Sequence, residues 1–473
     1  MNKSIAIVGG GAAGMMAAVQ AAYAGAHVTV YERNDRVGKK ILATGNGKCN
    51  FSNEFMNAGC YYGSGVDYIE KVYDNFGVED TKEFFRNLGM RIRSRNGYLY
   101  PASEQAATVL DILRYEMERL GIQVYTGCKV TEVRSQGKSQ RKPLAVEAEG
   151  YKTESYDAVV LACGGKAAPK TGSDGSGFVL AKRLGHKIIP VVPALTALRC
   201  KESFFKQVAG VRCEACLTLY IEDAPACTVD GELQLTDYGI SGIPVFQFSR
   251  TAAYALREHK NVMVEIDFVP NHSDGGFGCV NQYDDLASWF RDVNLYGNSG
   301  MCFRDVNRRR SSDPGFRDAN QCGNSDPCFR DANRCGNSDP CFWEARWERQ
   351  ENQKMEQFVT GIVNKKIGLL LLKLSGISER ERACDVVLSK RKKLETLCHS
   401  LRVTVTETNS FEQAQVCAGG VDFREISEQL MSLKVPGLFF AGEMLDVDGI
   451  CGGYNLQWAW SSGAVAGRAA AGM

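Results

Sequence analysis

The apolar pattern changes period along the chain. Residues 5–8 form a short, wholly apolar run that reads as a buried strand. An Ala/Met-rich stretch from residue 12 to about 24 reads as a helix stopped by Gly25, and residues 27–31 as a second strand. Residues 156–163 are another apolar strand, ending at Gly164 and Gly165, and residues 171–177 lead from it into a helix reaching about Leu184. From Val191 to about Phe268 the elements become short strands: 191–192, 194–198, 213–221, 232–236 and 262–268. Turns are expected at Glu222-Asp223 and Asp230-Gly231, as in a small barrel, with one helix from Pro244 to about Glu258. Helical periodicity returns over 354–374 and 379–397, and an apolar strand at 438–441 precedes a Trp/Ala/Gly-rich helix from Leu456. Strands alternating with helices at both ends predict an α/β protein with a Rossmann-like, parallel-sheet domain.

The junction after the first strand carries the most specific chemistry. Gly9-Gly10-Gly11-Ala12-Ala13-Gly14 opens the first helix, and Glu32 ends the second strand, eighteen residues beyond Gly14. Each position has a task in a dinucleotide fingerprint. Gly9 makes the tight turn, Gly11 lets the backbone approach a pyrophosphate, Gly14 brings helix against strand, and Glu32 accepts ribose hydroxyls. The phosphates then lie at the positive end of the helix. Glu32 disfavours a 2′-phosphate, although Arg33 beside it pulls the other way. FAD and NAD share this fingerprint. After it comes a glycine-punctuated polar loop over 38–50, containing Lys40, Thr44, Gly45, Asn46, Cys49 and Asn50, of a kind that can run along an extended ligand.

Composition narrows the classes. The 473 residues carry 56 Lys plus Arg against 55 Asp plus Glu, a net charge of +1, so no strong field points to nucleic acid or an anionic membrane. No apolar run approaches a membrane span, and glycines interrupt the signal-like stretch after Lys3. Eighteen scattered cysteines suit reduced thiols in a cytoplasmic protein. Cys213 and Cys216 form a CxxC within a strand pattern, the wrong context for thioredoxin-like chemistry. Residues 290–341 hold four copies of a thirteen-residue Phe-Arg-Asp unit rich in Gly, Asn and Ser, read as a disordered insertion. Its cysteines lack zinc spacing, and no metal is expected. The basic run Lys390 to Lys393 reads as a solvated helix face, with RNA contact the alternative that one patch in a neutral chain supports only thinly.

The combination of GGGAAGMMAA, KKILATGNGKCNFSN, LYPAS, VVLACGGKAAPKTGSDGSG, LTDYGISG and GEMLDVDGICGGYNLQWAWSSG resembles the BaiN/RdsA-type FAD-dependent oxidoreductases, in the glutathione-reductase-like superfamily. The resemblance implies an FAD domain built from residues 1–190 and 405–473, a β-barrel insert at 191–270, and a helical segment at 271–404 that contains the repeats. It implies FAD contacts at Gly9, Gly11, Ala12, Ala13, Gly14, Glu32 and Arg33, and along the loop at Lys40, Thr44, Gly45, Asn46, Cys49 and Asn50. Val130, Ala162, Cys163 and Gly164 would join them. At the end of the chain come Gly442 and Glu443 near the ribitol, with Gly452, Gly453, Tyr454 and Asn455 meeting the flavin ring. The implied activity is NAD(P)H-driven reduction of an activated C=C bond in a small apolar molecule such as an unsaturated 3-oxo steroid or bile acid. No second GxGxxG unit exists, so NAD(P)H would dock transiently. Tyr454, Tyr98 and Tyr100 are the candidate proton or hydrogen-bond donors. A flavin oxidase using oxygen and a non-turnover redox sensor or electron carrier are the alternatives. The expected partner is a small-molecule substrate, with no nucleic acid and no membrane; oligomeric state is unknown.

Overall fold

The computed structural model describes residues 2–137, 142–270 and 340–473. Its central sheet has five parallel strands in the order Leu438–Phe440, Ala158–Leu161, Ser4–Val8, His27–Tyr31 and Gln123–Tyr125. Ile5, Ala6, Ile7 and Val8 are all buried, because helices and loops cover both faces; that is why the strand reads as a continuous apolar run and not as an alternation. The strand at the chain's end pairs with Ala158–Leu161, so both termini build one sheet. They also meet through helices. The helix Ala12–Tyr23 packs against the final helix Tyr454–Ala471, where Gly463 and Gly467, one turn apart, face the carbonyls of Ala13 and Ala17. Any Cβ at those two glycines would overlap the facing backbone, which accounts for the small-residue content of the last helix.

The middle of the chain closes into a six-stranded barrel: Leu198–Cys200, Gly239–Gly242, Ala224–Leu235, Arg212–Ile221, Val262–Asp267 and Leu401–Thr408. The hairpin at Glu222-Asp223 forms as expected, with both residues at positive φ. The turn expected at Asp230-Gly231 does not form, and one strand runs through to Leu235 with Asp230 opposite Cys216. Gly231 instead makes room for Pro244, which would stand 3.4 Å from a Cβ there. The closing strand, Leu401–Thr408, crosses the boundary expected at 404/405, since a barrel edge left open would expose unpaired backbone groups. Cys213 and Cys216 lie in one strand, three residues apart and therefore on opposite faces. Burial raises their thiols to about 11 and about 12, so neither is a poised nucleophile. The helix Ile243–Arg257 covers the barrel, with Val245, Phe248, Ala252 and Ala255 in the barrel core.

Helices Met355–Val359, Lys365–Ser375 and Leu388–His399 pack beside the barrel; the long helix expected over 354–374 is broken at 360–364, where Asn364 caps the next helix by accepting from the Lys366 N–H. Residues 290–339 of the repeats lie outside the described residues. Both flanks of the 271–339 stretch reach the end of the same helix. The Phe268 N–H donates to the Cys398 carbonyl at 2.9 Å, and Trp343 Nε1 donates to His399 Nε2 at 3.3 Å, while His399 Nδ1 lies 3.2 Å from Asp267. Since entry and exit meet there, excising residues 292–339 is expected to leave bound flavin and its reduction rate unchanged. Halving a loop alters closure entropy by only ~0.6 kcal/mol. A shortened protein that purifies without flavin would refute this.

Candidate functional site

The glycine turn is held from below by Glu32. One oxygen of this buried carboxylate accepts from the Gly10 N–H at 2.8 Å; the other accepts from the backbone and side-chain amides of Asn34, each at 2.8 Å. Gly9 passes against the Ala162 carbonyl, 2.5 Å from where a Cβ would sit, so the turn and the end of the Ala158–Leu161 strand are locked together. Gly14 faces the Gly9 carbonyl, the helix-on-strand contact that its spacing predicts. Gly11 is different: a Cβ there would meet nothing within 4 Å. It begins the first helix with no capping side chain, so the first-turn N–H groups have no side-chain acceptor. Ala13 is buried against this contact. Val130, also buried, comes two residues after Cys128, whose N–H donates to the Glu32 carbonyl at 2.9 Å.

Arg33 pairs with Asp174. Burial alone would raise Asp174, but hydrogen bonds from Arg33 and Ser176, with the Arg33 charge, bring it down to about 2. The guanidinium is therefore already neutralised within the 171–177 loop, which removes the argument that it would attract a 2′-phosphate. Cys163 lies between these groups, its thiol raised to about 12 by burial and then by Glu32 and Asp174, and its Sγ contacts the Val8 carbonyl at 3.3 Å. Gly164, beside it, faces Ser173.

Glu443 is a hub that joins four distant segments. It accepts from Lys40 Nζ at 2.9 Å, from the Gly165 N–H at 3.3 Å and from the Cys417 N–H at 2.7 Å. Sequence reasoning gave it a ligand contact only. Glu443→Ala would leave a lysine and two backbone donors without their acceptor, at a cost of ~1–3 kcal/mol. The variant is expected to melt lower than wild type even without cofactor, measured by thermal unfolding of the apo-protein; an unchanged melting temperature would remove the hub role.

The loop after Lys40 folds as two short helical turns, Lys39–Leu42 and Thr44–Gly47. Gly45 and Asn46 take positive φ and are exposed, the Gly45 carbonyl accepts from the Lys48 N–H at 3.0 Å, and the Thr44 hydroxyl donates to the Ile41 carbonyl. Cys49 is a correction. It is 0% exposed, with its thiol raised to about 11 by burial, so it supports the loop from inside. Asn50 carries the opposite sign: its Oδ1 is buried without a hydrogen-bond partner among the described residues, an acceptor awaiting a donor.

The final turn is shaped by the protein itself. Gly442, at positive φ, sits against Ala13, and its N–H donates to Ser462 Oγ at 2.9 Å. The Asn455 amide is taken up by the Gly449 backbone, accepting at 2.9 Å and donating at 2.7 Å, so this residue shapes the turn and is not free to bind a cofactor through its amide. A Cβ at Gly453 would first meet the Ser52 carbonyl at 2.6 Å and Asn50 Oδ1 at 2.9 Å, and one at Gly452 the Tyr98 ring at 2.8 Å. A side chain at Gly453 thus meets protein before any ligand. Tyr454 is the second correction. It is 2% exposed and packed edge-on against Tyr61, which makes it part of the packing beneath the turn. Tyr98 and Tyr100, half-buried on one face of the strand Tyr98–Pro101, remain beside Gly452 and Cys451.

On the other side of this turn lies a group that sequence reasoning missed. The barrel-covering helix presents Gln247, Arg250 and Tyr254 to the 446–451 stretch. Gln247 Oε1 accepts from the Cys451 N–H at 3.2 Å, and Arg250 Nε donates to Asp448 Oδ1 at 3.0 Å. Burial pushes Asp448 up to about 7 against the pull of Arg250, with the Asp446 charge adding to the rise. The spacing of three and then four residues on a helix was the available signal, but nothing local marked that face as pointing at the chain's end.

Open space at Gly11, a helix start without a capping side chain and an orphan acceptor at Asn50 fit an elongated dinucleotide. Residues 3–469 match the HI0933-like protein Rossmann domain. The chain belongs to the HI0933-like family. It is 38% identical, over 100% of its length and 99% of the relative's, to the 3-dehydro-bile acid delta(4,6)-reductase of Clostridium scindens. It is 24% identical to the ribosomal RNA dihydrouridine synthase of Haemophilus influenzae and 26% to that of Escherichia coli, each match covering 96% of this chain and 95% of the relative. This HI0933-like protein is built on a Rossmann-type domain. Among its described residues no helix is long and apolar enough to cross a membrane.

Proposed function

We propose that this HI0933-like protein uses FAD and NAD(P)H to reduce a C=C bond conjugated to a carbonyl in a small apolar molecule, an unsaturated 3-oxo steroid or bile acid. The observation that carries this reading is the end-to-end 38% identity to a bile-acid reductase. Bound FAD would supply the hydride chemistry. The chain's own residues do the rest. Gly11 and the open helix start receive the pyrophosphate, Glu32 offers its remaining lone pairs to a ribose, and the 44–46 loop, Asn50 and the backbone of Gly452 and Gly453 take the remainder of the cofactor. Tyr98 and Tyr100 stand where a proton could be handed to the substrate. Partly exposed Phe246, Tyr254 and Cys451, between barrel helix and final turn, supply an apolar edge for such a ligand.

Anaerobic titration tests this. NADH or NADPH should bleach the flavin, and a 3-oxo-4-ene steroid should restore its colour under argon. Reoxidation by oxygen alone would favour an oxidase, and reoxidation by neither a carrier or sensor. A second reading, uridine in ribosomal RNA as the oxidant, is favoured by the relatives from Haemophilus influenzae and Escherichia coli, since a uracil C=C bond is likewise conjugated to a carbonyl. It ranks lower because the basic run at 390–393 is not four free cations: Arg391 lies over the Trp347 ring and bonds the carbonyls of Val386 and Ala383. Unmodified ribosomal RNA in the same titration separates the two.

A further inference from the structure

We propose that Arg250 receives the carbonyl oxygen of the substrate, an inference that rests on the conjugated-bond reduction proposed above. Of the five N–H donors of this guanidinium, only the one on Nε makes a hydrogen bond with the described residues, to Asp448. Three other arginines engage more of the fork, whereas Arg402, over the Tyr220 ring, likewise uses Nε alone, on Glu265. Arg424 uses Nε and Nη2 on Asp422, Arg346 uses both on the Phe358 carbonyl, and Arg391 uses both on carbonyls of the 383–386 turn. The Arg250 side chain keeps 14% of its surface exposed.

The surroundings prepare such a group for an oxygen that gains charge. Its carbon lies over the rings of Tyr62 and Tyr254, at 5.2 and 5.0 Å, which hold the plane of the group. Asp448 anchors the guanidinium at Nε. Asp448 also immediately precedes Gly449, whose backbone Asn455 clamps to the start of the final helix, and Gln247, one turn back from Arg250, holds Cys451. The cation is thereby tied to the partly exposed Cys451–Gly453 backbone, opposite Tyr98 and Tyr100. In the reduction, a hydride originating from NAD(P)H adds to the β-carbon and the C=C electron pair moves through the conjugated system. Negative charge appears on the carbonyl oxygen at the Arg250 N–H groups; a proton then adds to the α-carbon and the carbonyl reforms. Donors fixed in advance at the developing oxyanion lower that barrier without reorganisation.

The test compares wild type with Arg250→Gln and with the doubly neutral Arg250→Gln/Asp448→Asn, which leaves no lone buried carboxylate. Both variants should purify yellow, be reduced by NADPH at the wild-type rate and be reoxidised normally by ferricyanide, which has no carbonyl. Reoxidation by a 3-oxo-4-ene steroid should slow by ~100–1,000-fold. In infrared difference spectra of the steroid labelled with 13C at C3, the carbonyl band, lowered in the wild-type complex, should return to its solution position. Steroid turnover within about threefold of wild type, or an unmoved band, overturns the proposal. So does loss of FAD from both variants, which would make Arg250 a support of the cofactor turn. Wild type that is reoxidised by 2-cyclohexenone but not by the steroid would sink the steroid reading alone, and the same variants then test Arg250 on cyclohexenone. Wild type that is reoxidised by neither sinks both.

Discussion

Gly14→Ala is expected to destabilise the whole protein. A Cβ at this position would overlap the Gly9 carbonyl oxygen, with the Ala162 side chain only 3.4 Å away. Neither partner can yield. Gly9 belongs to a turn wedged against the Ala162 backbone, and its own N–H is bonded to the Tyr31 carbonyl at 2.8 Å. The helix must therefore lift off the sheet, and it cannot do so freely because Gly463 and Gly467 hold the final helix against its other side. Overpacking of this kind costs ~3 kcal/mol or more where backbone must move. A substantial drop in melting temperature, on the order of 2–4 °C per kcal/mol in domains somewhat smaller than this, should appear with and without FAD. A variant melting like wild type would show that the helix does not seat as described.

Gly11→Val, three residues away in the same turn, should do the reverse. The space around Gly11 is open and its φ is −79°, a conformation that any residue adopts, so the apo-protein should fold and melt normally. Its side chain would fill the room that a pyrophosphate needs, and FAD affinity should fall by about 100-fold, equivalent to ~2.7 kcal/mol. The result to look for is a colourless but fully folded protein, checked by flavin absorbance, by a dissociation constant from fluorescence titration and by circular dichroism. A yellow Gly11→Val protein would move the pyrophosphate off this turn. Together the two glycines separate a position that the fold requires from one that the ligand requires, which their shared motif does not do.

A pH effect accompanies the Arg250 site. In wild type, burial raises Asp448 to about 7 while Arg250 pulls it down. Removing the Arg250 charge in Arg250→Gln takes away that opposing pull, so Asp448 should titrate higher still and be neutral across physiological pH. A folded-state value above the ordinary carboxylate range means that the native state holds this proton more tightly than the unfolded chain does. Its contribution to stability is therefore present at low pH and is lost as pH rises toward the folded value. Thermal unfolding of Arg250→Gln between pH 5 and pH 9 should retain that contribution to higher pH than wild type does, and identical profiles would show the pair to be uncoupled.

What the sequence alone determined is what local physics writes into neighbouring residues. The strand at 5–8, the glycine turn, the helix behind it and Glu32 were all legible, because a buried parallel strand demands an unbroken apolar run and the tight turn demands glycine within a few positions. The barrel hairpin at Glu222-Asp223 was legible for the same reason. What only the tertiary structure decided lies between residues hundreds of positions apart. Lys40 meets Glu443 across 403 residues and Arg250 meets Asp448 across 198, with no periodicity to announce either pair. The closing strand Leu401–Thr408 belongs to the barrel because an open edge needed a partner, not because of a change in its own pattern. Tyr454 and Cys49, both within motifs that read as ligand contacts, are sealed by neighbours from other segments, Tyr61 in one case and the folded 44–50 loop in the other. Burial is a property of the assembled chain: a side chain's exposure depends on what packs over it, and the sequence around it does not carry that information.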